Sequence, residues 1–188
     1  MAYLARAERR RSIVEAAAAV VERDGLSAVT ARIVADELGG SQGQIHHHFA
    51  STDELAGEAW RHYAARQIDE YEREVDGLDA YDALVLFFAD LVGADGDGHA
   101  LARWAEANAH AQQRPLVARS YVETLTRLTD VLASVLAGDP HAAHARTAAW
   151  RILMLGVGLA GLTRITEDSP VPARDVMLSA IRAETGRH

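Results

Sequence analysis

The chain has no cysteine and no lysine. The first absence excludes disulfides, thiolate metal sites and thiol nucleophiles. The second makes arginine the whole basic complement: nineteen residues against twenty-seven Asp and Glu, for a net charge of −8. Proline is scarce. Pro115, Pro140, Pro170 and Pro172 all fall where a helix could begin or end. No alternating β-branched run bounded by turns is present, so there is no strand candidate. The longest apolar run, Ile152 to Leu162, is about half of the ~20 residues that a membrane-spanning helix needs. The N-terminus passes from Met1-Ala2-Tyr3-Leu4 to Arg6 and Arg9-Arg10-Arg11 without the apolar stretch of a signal peptide. These absences predict a soluble, cytoplasmic protein with no membrane partner. Hydrophobic residues make up 49% of the chain, enough to bury a core.

The acidic balance argues at first against nucleic acid, but its distribution does not. Residues 1–50 hold six Arg and six acidic residues, and the remainder carries the whole excess of negative charge. A neutral head on an acidic body is compatible with binding DNA through the head.

Helical periodicity runs almost throughout. The first helix is expected over Ala7–Asp24, with Ile13, Ala16, Ala17, Val20 and Val21 as its apolar stripe and Gly25 as its stop. Thr30 reads as the N-cap of a short helix ending at Leu38, and Gly39-Gly40 as a tight turn. Ser41 with Gln44, and Ser51 with Glu54, have capping-box spacing. The second box opens a long helix over Asp53–Val75. Further helices are expected near 80–93, 99–112, 115–137, 141–164 and 172–184. Loops fall at Gly93–Gly98 and Gly138-Asp139-Pro140.

Two short helices around a glycine turn, packed on a longer first helix, make a helix-turn-helix, whose second short helix enters the major groove of DNA. Here that helix reads Gln42-Gly43-Gln44-Ile45-His46-His47-His48-Phe49. Ile45 and Phe49 are four apart and should anchor it to the core. That leaves Gln42, Gln44, His46 and His47 for the DNA side, where glutamine can bond adenine with both amide atoms. Gly43 lets a backbone approach closely. The three consecutive histidines point about 100° apart on a helix and cannot converge on one metal ion.

Gly25, Thr30, Val34-Ala35, Gly39, Ser41, Gly43, Ile45, His46-His47-His48-Phe49 and Ser51-x-x-Glu54-Leu55 together resemble the N-terminal signature of the TetR family of transcriptional regulators. The resemblance covers roughly residues 8–60. It implies that Thr30 and Ser41 lie at the DNA-facing helix starts and that Thr30 touches a phosphate. It further implies that Arg32, Gln42 and Gln44 read bases, and that His46 takes a position usually held by a backbone-contacting tyrosine, with His47 beside it. Thr52 stands where the family usually carries a phosphate-binding lysine, and Gly40 replaces an apolar turn residue. These departures predict a shallow salt dependence of DNA binding.

Other motifs have plainer readings. Gly156-x-Gly158-x-x-Gly161 matches the dinucleotide-binding fingerprint letter for letter, but no strand or βαβ unit surrounds it. Close helix packing is the expected role. Asp95-Gly96-Asp97-Gly98 lacks the spacing and closing glutamate of a calcium loop. His141 and His144 are read as a solvent-facing pair, so no metal site is expected. No catalytic constellation emerges. Trp104, Asn108, His110, Tyr121, Trp150 and Met154 are the candidates for an effector pocket, as large or polar side chains on the helices of the body.

The expected fold is all-α: a three-helix helix-turn-helix DNA-binding domain over residues 1–52 and a helical ligand-binding and dimerisation domain over 53–188. The resemblance implies a ligand-responsive repressor without cofactor, dimerising through its last two long helices. A dimer would span a palindromic double-stranded operator whose half-sites lie about 34–36 Å apart or a multiple of that. The alternatives are a ligand-binding helical protein with impaired DNA binding, and a small helical enzyme.

Overall fold

The computed structural model describes residues 2–93, 98–137, 144–166 and 168–187, with side chains from Arg6 onward. Among these residues every regular element is helical, and none is a strand. They form two compact units. The first comprises Met1–Gln67 with Glu106–Thr124, and the second comprises Ile68–Ala105 with Leu125–His188.

The first unit begins with α1 (Ala2–Asp24), which starts five residues before the expected Ala7. Of its expected stripe, Ile13, Ala17, Val20 and Val21 are fully buried, and Ala16 lies at the edge. Gly25 ends α1 at φ 93°, a backbone conformation that a β-carbon disfavours. A single 3₁₀ turn, Leu26–Ala28, leads to α2 (Ala31–Leu38) and α3 (Gln42–His48). α4 (Thr52–Glu74) follows, and its first sixteen residues, Thr52 to Gln67, belong to this unit. α2 packs on both α1 and α3. Trp60 fills the centre between Tyr63 and Tyr121, and burial pushes the Tyr121 phenol up to about 12.

In the second unit the expected helix over 80–93 is two helices, α5 (Ala80–Phe87) and α6 (Ala89–Val92). They break at Phe88, whose ring lies so close to Gly156 that a β-carbon there would stand 2.5 Å away. That break is set by tertiary packing, which local periodicity does not announce. α7 (His99–Ala111) and α8 (Pro115–Leu136) each contribute residues to both units. α9 (Ala145–Thr163) and α10 (Ala173–Thr185) complete the chain, and α10 packs on α5, α6 and α9. The proposed stop at Gly138-Asp139-Pro140, His141 and most of the Asp95–Gly98 loop lie outside the described residues. Only Gly156 of the glycine triplet makes a close approach. Beside Gly158 and Gly161 a β-carbon would meet none of the described atoms within 4 Å.

No helix among the described residues is long and apolar enough to cross a membrane.

Candidate nucleic-acid interface

Local chemistry sets where α2 starts and stops. Thr30 has extended backbone, and its Oγ1 accepts from the Ile33 amide at 3.2 Å. One otherwise unbonded helix-start donor is thereby satisfied. At the other end Gly39 turns left-handed at φ 67°, the Gly40 amide donates to the Ala35 carbonyl, and the Gly39 amide donates to that of Asp36. This pair of bonds is a Schellman closure, in which the residue after the left-handed one normally packs an apolar side chain back on the helix. Gly40 has none to offer. The Gln44 amide occupies that space, its Oε1 2.7 Å from where a β-carbon of Gly40 would stand.

That placement corrects one expectation. Ser41 stands at the N-cap of α3 but makes no side-chain cap bond, so the Ser41/Gln44 capping box does not form. Gln44 is drawn toward the turn, and the Ser41 hydroxyl lies over the exposed surface at Gly43. The Ser51/Glu54 box does form, displaced by one residue on its return bond. The Glu54 amide donates to Ser51 Oγ at 3.1 Å, and Glu54 Oε2 accepts from the Ala50 amide at 2.8 Å. Bonds from Arg10 and Ala50 hold the Glu54 carboxyl below its ordinary pKa, overcoming burial.

α3 is anchored as expected, with Ile45 and Phe49 2% and 3% exposed. Gln42, His46 and His47 are exposed together with Thr30, Arg32, Ser41 and Thr52, while Gln44 is half-buried. Among the described residues Arg32 has no carboxylate partner. Gly43 is exposed, has negative φ and touches no packed neighbour, so neither backbone strain nor internal packing calls for glycine there.

Sequence reasoning missed Arg10. Its guanidinium donates to the His48 carbonyl at the end of α3, to Glu54 at 2.8 Å and to Glu58 at 2.5 Å, and lies 4.1 Å from the Phe49 ring centre. It fixes the exit of α3 against α1 and α4. The available signal was an arginine three residues before Ile13, on the core-facing stripe.

The effector candidates fall in different places. In the first unit Tyr121 is buried, Asn108 is half-buried, and His110 belongs to a polar chain. Arg114 can only donate, so His110 Nδ1, at 3.3 Å, accepts from it. His110 Nε2 stands 3.0 Å from Ser27 Oγ, which donates to Glu106. Burial works to raise the Glu106 pKa, but bonds from Ser27 and the Leu26 amide, with nearby His110, hold it below its ordinary value. In the second unit Trp104 and Met154 are half-buried. Trp150 borders a surface cavity of about 380 Å³ with Thr126, Thr129, Arg146 and Thr147.

Residues 13–59 match the family model described as bacterial regulatory proteins, tetR family. That segment, about a quarter of the chain, is similar to the N-terminal domain of the TetR family. Among curated proteins the chain is 29% identical over 111 residues to the nicotine-responsive transcriptional repressor HdnoR of Paenarthrobacter nicotinovorans, covering 55% of the chain and 57% of HdnoR. It is 38% identical over 68 residues to the transcriptional repressor KstR2 of Mycobacterium tuberculosis, covering 36% of the chain and 34% of KstR2. The match thus spans little more than half of the first relative and a third of the second. A TetR-family regulator structure from Rhodococcus sp. superposes with a TM-score of 0.68, covering 95% of this chain and 99% of that one at 22% identity, which extends the likeness of fold to the whole chain.

Proposed function

We propose that this chain is a ligand-responsive transcriptional repressor that binds a palindromic operator as a homodimer. The carrying observation is the exposed face of α2 and α3, where Arg32, Gln42, His46 and His47 stand clear of the core while Ile45 and Phe49 anchor the helix beneath them. Polar side chains held on a rigid helix are the equipment of base reading in the major groove. Gly43 fits the reading, since a glycine without an internal purpose leaves room for DNA to come close. Residues 1–52 form the reading head in this proposal, and 53–188 bind the effector and the second copy.

The outer face of α9 supports the dimer. Thr147, Trp150, Gly158 and Leu162 are exposed at helical spacing, and Gly158, where a β-carbon would meet none of the described atoms within 4 Å, keeps the strip low enough for another helix to lie along it. An effector that binds one arrangement of the body better than another would shift the spacing of the two heads, with the unbroken α4 as the link. The nicotine response named for HdnoR belongs to that protein; what carries over is responsiveness to a small organic ligand.

Selection of bound fragments from a genomic DNA library with the purified protein tests the proposal. A recurrent palindrome is the expected product. Fragments without a shared sequence would overturn it.

A further inference from the structure

Most arginines of the first unit are already committed. Arg10 is paired with Glu54 and Glu58, Arg23 with Asp24 and Glu37, Arg61 and Arg119 with Glu123, Arg66 with Glu22, and Arg114 with Asp53. A guanidinium neutralised in this way must give up a carboxylate before it can serve a phosphate. Among the described residues of this unit, the arginines with no such partner are Arg6, Arg9, Arg11 and Arg32, all exposed.

Their places differ. Arg6, Arg9, Arg10 and Ile13 stand at i, i+3, i+4 and i+7 of α1 and share one face. Arg10 on that face reaches the end of the recognition helix at the His48 carbonyl. Arg6 lies about one turn, ~5.4 Å, further toward the start of α1. The field of this face is felt at α3: the His48 imidazole is held below its ordinary pKa by burial first, then by His47, Arg6, Arg10 and Arg9. Glu8, Arg11 and Glu15 project from the opposite side of α1.

We propose that Arg6 and Arg9 are a phosphate clamp, gripping the DNA backbone beside the bases that α3 reads. The geometry gives the clamp charge and reach but no base-reading role. It rests on the DNA-binding proposal above and adds residues outside the helix-turn-helix to the binding surface. The part of the affinity that the clamp supplies falls with salt, because each neutralised phosphate releases counterions.

The test uses a genomic fragment recovered by the wild-type protein and a scrambled duplex of equal length, titrated between about 50 and 200 mM salt. Arg6→Ala/Arg9→Ala should make the slope of log K against log salt shallower by about 0.9 for each phosphate released, or nearly 2 per bound protomer. The loss should be equal on both duplexes, since phosphates carry no sequence. Arg6→Lys/Arg9→Lys should keep the wild-type slope, and so should Arg11→Ala. An alanine pair with the slope of Arg11→Ala would overturn the clamp while leaving the DNA-binding reading intact, and so would a loss confined to the cognate fragment. A wild-type protein that binds neither duplex at the lowest salt would overturn both.

Discussion

The short helices α2 and α3 and the long helices α8 and α9 are built by different kinds of information. α2 and α3 are eight and seven residues long, too short to hold by their own hydrogen bonds. They are fixed by caps, by a left-handed glycine and by two anchors, features that sit within a few residues of one another. α8 and α9 are 22 and 19 residues long, and their places depend on side chains distant in sequence, such as Phe88 against Gly156. Short-range rules position the exposed face of α2 and α3. Long-range packing positions a body whose chemistry short motifs do not betray.

The contrast can be broken from either side. The largest expected effect comes from the anchor of α3: Ile45→Ala should lower stability by about 2–5 kcal/mol, because a fully buried side chain leaves a cavity behind. A chemical denaturation midpoint little changed from wild type would show that α3 is held by other means. Next in size is Gly156→Ala in the body. Its β-carbon would stand 2.5 Å from the Phe88 ring, and the cost of overpacking is about 1–3 kcal/mol. A gain in stability, as expected for Gly→Ala in an open helix, would show that Phe88 moves aside freely.

The two caps of the head give a finer contrast. Thr30→Ala should cost about 1 kcal/mol, since Thr30 Oγ1 holds the Ile33 amide. Ser41→Ala should change stability by less than about 0.5 kcal/mol, since its hydroxyl makes no cap bond, yet should weaken DNA binding. Equal thermal shifts in the two variants would erase the distinction.

The smallest effect is electrostatic. Glu54 and Glu106 bind protons less readily folded than unfolded, so each stabilises the fold above its ordinary carboxyl range, near 4.5. That contribution is lost as pH falls through the depressed folded value. Glu106→Gln should therefore be less stable than wild type at neutral pH, with the gap closing below about pH 4.5 in thermal melts. A gap independent of pH would remove the charge of Glu106 from the account.

These differences explain what was legible in the sequence. Thr30, Ser51, Gly39 and the Ile45/Phe49 pair announced themselves, because caps and turns are local chemistry. The Ser41 box was misread because Gly40, one residue earlier, leaves a space that draws Gln44 away from the role its spacing suggested. Arg10 went unnoticed because its four partners lie 38 to 48 residues away. In the body, Gly156 kept its expected packing role, but Phe88 broke a helix that periodicity had drawn as one. The effector candidates were chosen as large or polar residues on helices beyond residue 53, and nothing in residue type alone brings such side chains to one cavity.

The central claim is that the exposed face of α2 and α3 reads sequence. Titrating the wild-type protein and an Arg32→Ala/Gln42→Ala variant against the selected operator, and against operators changed one base pair at a time, tests it most directly. The account predicts that the variant loses about 1–3 kcal/mol of discrimination for each base contact removed, at particular positions of each half-site, while its binding to scrambled DNA falls much less. Unchanged discrimination at every position, or an equal loss on all duplexes, would contradict it.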